Sequence, residues 1–205
     1  MGEAREGLAS WVIGITGASG AAYGVRLCQE LLERRYDLHL VVTDSGWRVL
    51  QEELGWKVTN RKEALELAFG HLPGTYTYYP IQDIGAAIAS GSFRTAGMVV
   101  APCSMGTLAA VAHGLSDNLL ERAADVMLKE GRPLILMPRE TPLHAIHLEN
   151  MLTLAKLGVK IAPAMPGFYN GPQTLDEIVG FMVGKVMDLM NIDHEIYRRW
   201  SAKHE

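Results

Sequence analysis

The sequence has little cysteine: only Cys28 and Cys103 occur among its 205 residues. Two cysteines are too few for a disulfide framework, which favours a reducing, cytoplasmic compartment. No apolar run reaches the roughly 20 residues of a membrane-spanning helix. The first ten residues carry three charges and lack the apolar core of a secretory signal. We therefore expect no membrane insertion.

Neither sign of charge is in large excess. Lysine and arginine number 19 against 23 acidic residues, a net charge of −4, so nothing favours binding to nucleic acid. With 48% hydrophobic and 20% charged residues, the composition is that of a globular protein. Repeats, low-complexity tracts and Gly/Ser linkers are missing, so we expect one domain over 1–205 with its core at about 11–191.

Apolar strand signals alternate with helix signals, which is typical of parallel βαβ units. Strands are predicted over 11–13, 38–42, 98–101, 134–137 and 159–162. Helices are predicted from residue 21 and over 43–53, 61–69, 107–112, 117–130, 141–157 and 174–191, and 72–82 is predicted to be irregular. The pattern predicts a doubly wound parallel sheet, whose ligands bind beyond the carboxyl ends of the strands.

Several helix ends carry specific signals. Ser116 or Asp117 suits the start of one helix, and Thr141, which is followed by proline, suits the start of the next. Gly158 is typical of a helix end, and Thr174 begins a capping box.

A turn rich in glycine follows the first predicted strand, since residues 14–20 read Gly-Ile-Thr-Gly-Ala-Ser-Gly. Glycine lets the backbone approach a ligand, and the N–H groups that open a helix attract phosphate. The turn has neither the G-x-G-x-x-G pattern nor the Gly-Lys-Ser/Thr of a P-loop, which favours a mononucleotide over NAD or ATP. A turn without a ligand is the alternative.

Polar or glycine-rich segments follow the other predicted strands as well. They are 43–46, 102–107, 139–141 and 166–169. In a parallel sheet these segments meet at one edge and form a crevice. Ser104 and Thr107 offer hydroxyl and N–H groups there, but for each alone plain helix capping is the favoured interpretation.

Four cations could form a second phosphate site. Arg122 and Lys129 lie seven residues apart on one predicted helix, so they project from the same face. Arg139 ends a predicted strand, and Lys185 lies on the last helix. Arginine would grip phosphate in a bidentate manner and lysine as a point charge. A solvated stripe paired with acidic neighbours is the alternative, and spacing alone leaves both open.

Glu140 follows Arg139 at a strand end, where partial burial suits proton transfer, although an ion pair between the two fits equally well. Tyr169 and Trp200 could line a site and stabilise a cation, whereas most such aromatic residues only pack.

Two further constellations are weaker. His144 and His147 lie three residues apart, but further ligands at metal-site spacing are missing, so we predict no metal. Cys103 lacks an evident base and is interpreted as a buried thiol rather than a nucleophile.

Several segments together resemble the flavin prenyltransferase (UbiX-like) family. The matching segments are 14–20, 23–24, 89–93, 101–108, 117–126, 128–130, 139–143, 166–169 and 199–200. The resemblance implies a flavodoxin-like, Rossmann-type three-layer sandwich that binds FMN. The family transfers a dimethylallyl group from dimethylallyl phosphate to N5 and C6 of reduced FMN, without a metal. The prenylated FMN then serves a UbiD-type decarboxylase, commonly in ubiquinone biosynthesis or aromatic-acid decarboxylation.

The resemblance also implies roles for individual residues. FMN would be held by Gly17, Ala18, Ser19, Thr43, Ser104, Met105, Gly106, Thr107 and Arg139. Dimethylallyl phosphate would be bound by Ser90, Arg122, Lys129, Arg139, Glu140, Tyr169, Lys185 and Trp200. The catalytic residues would be Glu140, Lys129, Arg122, Ser19 and Glu53. The tail 192–205 would close over the site, and the family forms dodecamers whose sites are shared between subunits.

Two positions depart from the family: Lys185 stands for a usual arginine, which keeps the charge but loses bidentate contact, and Thr43 stands for a usual serine. Two other functions stay open, an FMN-dependent decarboxylase of the same fold and a non-catalytic flavin carrier. Against the decarboxylase, residues 163–165 (Pro-Ala-Met) are followed by Pro166 and not by the asparagine of that class.

Overall fold

The computed structural model describes residues 10–200, in which six strands form a single sheet. The strands are β1 (Trp11–Ile15), β2 (Asp37–Val42), β3 (Thr75–Tyr79), β4 (Gly97–Cys103), β5 (Leu134–Pro138) and β6 (Lys160–Ile161). Their order is β3-β2-β1-β4-β5-β6, and every pairing is parallel. The chain reverses its direction of winding between β1 and β4, so the crevice of a doubly wound sheet lies there.

Helices cover both faces of the sheet. They are α1 (Ala21–Glu33), α2 (Asp44–Leu54), α3 (Arg61–Phe69), α4 (Met105–Ala112), α5 (Leu119–Lys129), α6 (Ala145–Lys156) and α7 (Leu175–Leu189). Alternate residues of β1 serve the two faces: Ile13 and Ile15 pack in the core under α1 and α7, whereas Val12 packs in the core under α4 and α5. The predicted α/β class with a parallel, doubly wound sheet is confirmed.

Segment 72–82 was predicted to be irregular, but it contains the edge strand β3. Its sequence, Thr-Tyr-Thr-Tyr-Tyr, holds residue types that favour strands, yet it has no apolar run. At the edge of the sheet no side chain of β3 is fully buried, so its residues need not be apolar.

Two predicted helix starts were wrong. The cap of α5 is Asn118, which accepts from the Glu121 N–H, and not Ser116 or Asp117. Helix α6 begins only at Ala145, because the imidazole of His144 rather than the hydroxyl of Thr141 accepts the capping hydrogen bond. The Thr174 cap of α7 and the αL glycine after α6, Gly158, are as predicted.

Glycine brings α1 into contact with the sheet. A Cβ on Gly24 would overlap the carbonyl oxygen of Ala101 in β4, and one on Gly46 would lie 2.7 Å from the carbonyl oxygen of Ile15. The starts of α1 and α2 can therefore approach the crevice closely. Within residues 10–200 no helix is long and apolar enough to cross a bilayer.

We expect Gly24→Ala to lower the free energy of unfolding by about 1–3 kcal/mol, because the new methyl group meets backbone that cannot yield. Urea denaturation measures the change. Gly106→Ala is the matched control, since a Cβ there meets nothing within 4 Å and alanine favours a helix. Equal stabilities of the two variants would contradict this account of the α1–β4 contact.

Candidate functional site

The crevice is held together by one buried hydroxyl. Thr16, fully buried after β1, donates its Oγ1–H to the carbonyl oxygen of Pro102 at 2.8 Å and accepts the Ser104 N–H at 2.7 Å. The turn after β1 is thus fixed to the start of α4 across the point where the winding reverses. Sequence reasoning assigned no role to this threonine.

The start of α1 holds a carboxylate from its own chain. The N–H groups of Gly20 and Ala21 donate to Glu53 at 2.9–3.1 Å, and Gly20 adopts a φ of 107° that favours glycine. These are amide groups that the sequence analysis assigned to a phosphate. In this structure Glu53 takes these amide groups, so a phosphate at the start of α1 stays a prediction and would have to share them with Glu53.

The charge state of Glu53 follows from its contacts. Burial alone would raise its pKa, but hydrogen bonds from Ser19, Gly20 and Ala21 and the charge of Arg139 together lower the pKa below the ordinary glutamate value of 4.5. The carboxylate is therefore ionised at neutral pH, beside the positive end of the α1 dipole.

Arg139 joins this group from the far side of the crevice. It follows β5, and its Nε–H donates to the Ser19 carbonyl oxygen at 3.1 Å. The carboxylate of Glu140 accepts the N–H of Thr141 at 3.0 Å. The Arg139–Glu140 ion pair left open above is not among the ion pairs of residues 10–200, so Arg139 is directed toward the crevice.

The hydroxyls of the other two helix starts act as caps. Thr43 accepts the Gly46 N–H at 2.9 Å, and Ser104 accepts the Thr107 N–H at 3.2 Å. Within the described part of the chain, the amide groups of Ser45 and Gly106 in the first turns of α2 and α4 have no hydrogen-bond partner. These free amides and the open space at Gly106 suit a phosphorylated ligand.

The remaining predicted flavin-site residues differ in their exposure. Ala18 and Met105 are buried, whereas Gly17, Ser19 and Gly106 are exposed. A Cβ on Gly17 would overlap the side chain of Ser45, so this glycine permits contact between the first turn and α2.

Three of the predicted phosphate ligands, Ser90, Arg122 and Lys129, lie on or beside helix α5. Lys129 and Ser90 are neighbours: a Cβ on Gly91 would lie 2.8 Å from the Lys129 Nζ, and that ammonium pairs with Glu130 at 2.6 Å. Arg122 pairs with Asp125 at 3.3 Å, as in the solvated-stripe alternative.

Within one chain, this second group is separate from Arg139. Helix α5 begins beside Ile81, beyond the carboxyl end of β3, and ends before β5 starts. Lys129 therefore lies near the amino end of β5 and Arg139 at its carboxyl end, about 15 Å apart along the strand at about 3.3 Å per residue.

A third group is aromatic. Tyr169 and Trp200 meet edge to face with ring centroids 5.4 Å apart, and Tyr169 contacts Phe181 of α7 at 5.7 Å. Both Tyr169 and Trp200 are largely exposed, and the Lys185 side chain on α7 is half exposed. The structure thus places Ser90 beside Lys129, Tyr169 against Trp200, and Arg139 beside Ser19.

Other candidates give no site. The rings of His144 and His147 stack on one another at 3.4 Å, and residues 10–200 contain no group of three or more side chains arranged for a metal. Burial raises the pKa of Cys103 to about 12, which agrees with an inert thiol. A surface groove of about 710 Å³ between α3 and β3 contains none of the predicted residues.

The fold and the crevice define a mononucleotide-binding protein of the doubly wound class, and the model of the Flavoprotein family matches residues 3–187. A flavin prenyltransferase UbiX from Alkalihalophilus pseudofirmus is 56% identical over 188 residues, which cover 92% of this chain and 94% of that protein. The chain belongs to the UbiX flavin prenyltransferase family, which confirms the predicted resemblance.

Two solved structures are similar along almost the whole chain. A dodecameric FMN-dependent UbiX-like decarboxylase from Escherichia coli O157:H7 superposes with a TM-score of 0.86 at 43% identity, covering 94% of this chain and all of that one. A UbiX protein in complex with FMN and dimethylallyl pyrophosphate has a TM-score of 0.87 at 36% identity, covering 96% and 100%.

We expect Glu53→Gln to be less stable than the wild type at neutral pH, with a difference that shrinks as the pH falls. A carboxylate whose folded pKa is depressed contributes stability above its unfolded pKa and loses it as the pH drops through the folded value. The difference in stability therefore shrinks at pH values below 4.5, the ordinary pKa of glutamate. Urea titrations at several pH values measure the effect.

Glu52→Gln is the control, because Glu52 pairs only with Arg48 on the surface. A Glu53→Gln deficit that stays constant through the acid range would show that the carboxylate charge is not what binds Glu53 to the start of α1.

Proposed function

We propose that this protein transfers the dimethylallyl group of dimethylallyl phosphate to reduced FMN. The observation that carries the proposal is the meeting of Ser19, Glu53 and Arg139 at the crevice, in a chain 56% identical to a flavin prenyltransferase. When bound, reduced FMN supplies N5 and C6 as the atoms that take the new bonds. The C–O bond of the allyl phosphate breaks, and phosphate leaves with the electron pair.

The FMN would lie along the switch point. Its phosphate fits the unpartnered amides of Ser45 and Gly106 and the Thr43 hydroxyl, whose proton remains available beside its capping contact. The Ser104 hydroxyl donates to Thr107 Oγ1 at 3.0 Å and would turn from that contact to reach the phosphate. Arg139 reaches the same space from β5. Gly17, Ala18, Ser19, Met105 and Thr107 would complete the walls of the flavin site.

Cations suit the departing phosphate. Ionisation of an allyl monophosphate concentrates negative charge on the leaving group, and positioned Arg and Lys side chains stabilise that charge in the transition state. Arg122, Lys129 and Lys185 would supply these cations, with Ser90 as a further donor. The rings of Tyr169 and Trp200 would face the allyl cation.

Proton transfer falls to the carboxylates. The bond to N5 replaces its proton, and ring closure at C6 uses the double bond of the transferred group, which takes up a proton at its C2 carbon while C6 releases one. Glu140, beside Arg139, is the proposed residue for moving these protons, with the released phosphate as a second acceptor. Glu53, held ionised by amide groups, would supply negative charge close to the flavin.

Ser90 and Lys129 would reach Arg139 only from another copy of the chain. Lys129 and Arg139 lie at opposite ends of the sheet within one copy, whereas a relative of 43% identity is dodecameric. Helix α6 leaves large apolar residues uncovered, and a second copy would cover them; they are Ile146, Leu148, Leu152 and Leu157. We therefore propose a homo-oligomer, a dodecamer by analogy, in which one copy supplies Ser90, Arg122 and Lys129 to the crevice of another.

The product would serve as the cofactor of a UbiD-type decarboxylase in the cytoplasm, in ubiquinone biosynthesis or aromatic-acid decarboxylation. The two other functions, an FMN-dependent decarboxylase and a flavin carrier, predict different fates of the flavin and are separated by the following experiment.

Purified protein is incubated anaerobically with reduced FMN and dimethylallyl phosphate, and the flavin is analysed by mass spectrometry. We expect a mass gain of one dimethylallyl unit, and in Lys129→Ala a loss of turnover of about 100-fold or more with nearly unchanged FMN affinity. Lys160→Ala, on β6, is the control for lost surface charge. Unmodified bound FMN in the wild type would favour a non-catalytic flavin carrier and would contradict the proposal.

Sharing of sites between copies is tested by mixing inactive variants. We expect Lys129→Ala and Arg139→Ala to regain part of the activity when their subunits are dissociated and reassembled together, because some crevices then combine two intact groups. Lys129→Ala mixed with Arg122→Ala is the matched control, since both changes fall in one group and no intact site forms. Equal recovery in both mixtures, or none in either, would contradict sharing.

A further inference from the structure

One carboxylate connects residues of the third group. Asp188 lies in the last turn of α7, three residues after Lys185, and its Oδ2 is 3.7 Å from the Lys185 Nζ. The same carboxylate accepts from three residues of the segment 192–200, which we call the C-terminal strap. Those contacts are His194 Nε2 at 3.1 Å, Tyr197 OH at 2.5 Å and Arg199 at 2.8 Å.

Asp188 is well placed to hold the strap. Its side chain is about one-fifth exposed, and the His194 side chain is fully buried against it. Burial alone would raise the pKa of Asp188, but the hydrogen bonds from Arg199 and Tyr197, with the charges of Arg199 and His194, lower it below the ordinary value. The carboxylate is ionised when it receives these donors, and such charge-assisted hydrogen bonds are the strong ones.

Glycine on α7 makes room for the strap. A Cβ on Gly184 would overlap the Tyr197 ring and lie 2.8 Å from the His194 Cε1, and a Cβ on Gly180 would lie 3.2 Å from the Ile196 side chain. The strap therefore lies directly on the backbone of α7, with Asp188 at the end where it enters.

The far end of the strap reaches the aromatic group. The side-chain amide of Asn170 donates to the Arg198 carbonyl oxygen at 2.9 Å, and Trp200 meets the Tyr169 ring. Phe181 of α7 contacts both Tyr169 and Tyr197. The position of Trp200 against Tyr169 thus depends on contacts that begin at Asp188.

We infer that Asp188 is a positioning residue for dimethylallyl phosphate: it anchors the C-terminal strap that holds Trp200 on Tyr169, and it holds the Lys185 ammonium beside that strap. The inference rests on the proposed function. Because the Lys185–Asp188 separation exceeds hydrogen-bond distance, Lys185 keeps its donors for a phosphate while Asp188 limits where the ammonium can lie.

The test is Asp188→Asn, which preserves size but removes the charge, with Asp176→Asn as the matched control at the other end of α7. Asp176 pairs with Arg26 of α1, and in residues 10–200 it makes no hydrogen bond or ion pair with the strap. We expect Asp188→Asn to raise the KM for dimethylallyl phosphate about tenfold or more, with a smaller effect on kcat and an FMN Kd within about twofold of the wild type. A merely structural role would weaken FMN binding and thermal stability together.

Limited trypsin digestion gives an independent measure of the strap. Arg198 and Arg199 have exposed side chains, but their backbone is held by the contacts of the strap. Release of the strap frees that backbone, so we expect faster cleavage after these residues in Asp188→Asn than in the wild type or Asp176→Asn, read by mass spectrometry. Gly184→Ala displaces the strap with Asp188 intact and should raise the KM as well, and Gly180→Ala should do so less, because its Cβ meets only the Ile196 side chain.

Two results would overturn the inference: cleavage at the wild-type rate in Asp188→Asn, or faster cleavage with an unchanged KM for dimethylallyl phosphate. Failure of the proposed function looks different, because the wild type itself would then leave the flavin unmodified.

Discussion

The buried hydroxyl of Thr16 is the contact on which the crevice depends. It accepts from Ser104 and donates to Pro102, and so joins the carboxyl ends of β1 and β4, which belong to the two oppositely wound halves of the sheet. A buried hydroxyl that makes both hydrogen bonds is stable, whereas one left unpaired is costly. The first glycine turn and the start of α4 consequently keep a fixed distance from one another.

Within the crevice, negative charge is stabilised by backbone N–H groups as well as by cationic side chains. Glu53 takes the amides at the start of α1, which leaves the starts of α2 and α4 for a ligand phosphate. Arg139 bridges the two regions through the Ser19 carbonyl oxygen. An acidic side chain and an anionic ligand can then occupy one crevice, because each has its own helix start to neutralise it.

Much of the fold was predictable because buried parallel strands are continuous apolar runs and the helices between them carry ordinary caps. What failed had physical reasons. The strand β3 was missed since an edge strand of threonine and tyrosine needs no apolar run, and the start of α6 was misplaced because histidine rarely caps a helix.

The site was less predictable than the fold. Glycine signals and the family resemblance pointed to the carboxyl edge of the sheet, but spacing along the chain could not show that Glu53 returns to the start of α1 from 32 residues away. Nor could it show that Lys129 and Arg139 lie at opposite ends of β5, since a helix that runs back along the sheet separates residues close in sequence. Asp188 gave no signal, because a single aspartate near a helix end is common.

The winding reversal between β1 and β4 has a further consequence. Residues 10–82 and 97–200 each supply one wall of the crevice, so neither half by itself contains a complete flavin site. Binding of yellow flavin therefore shows that the two halves are assembled. Residues 82–85, which are exposed between Ile81 and the buried Ile88, are accordingly a natural place to divide this chain into complementary fragments whose reunion is visible by eye.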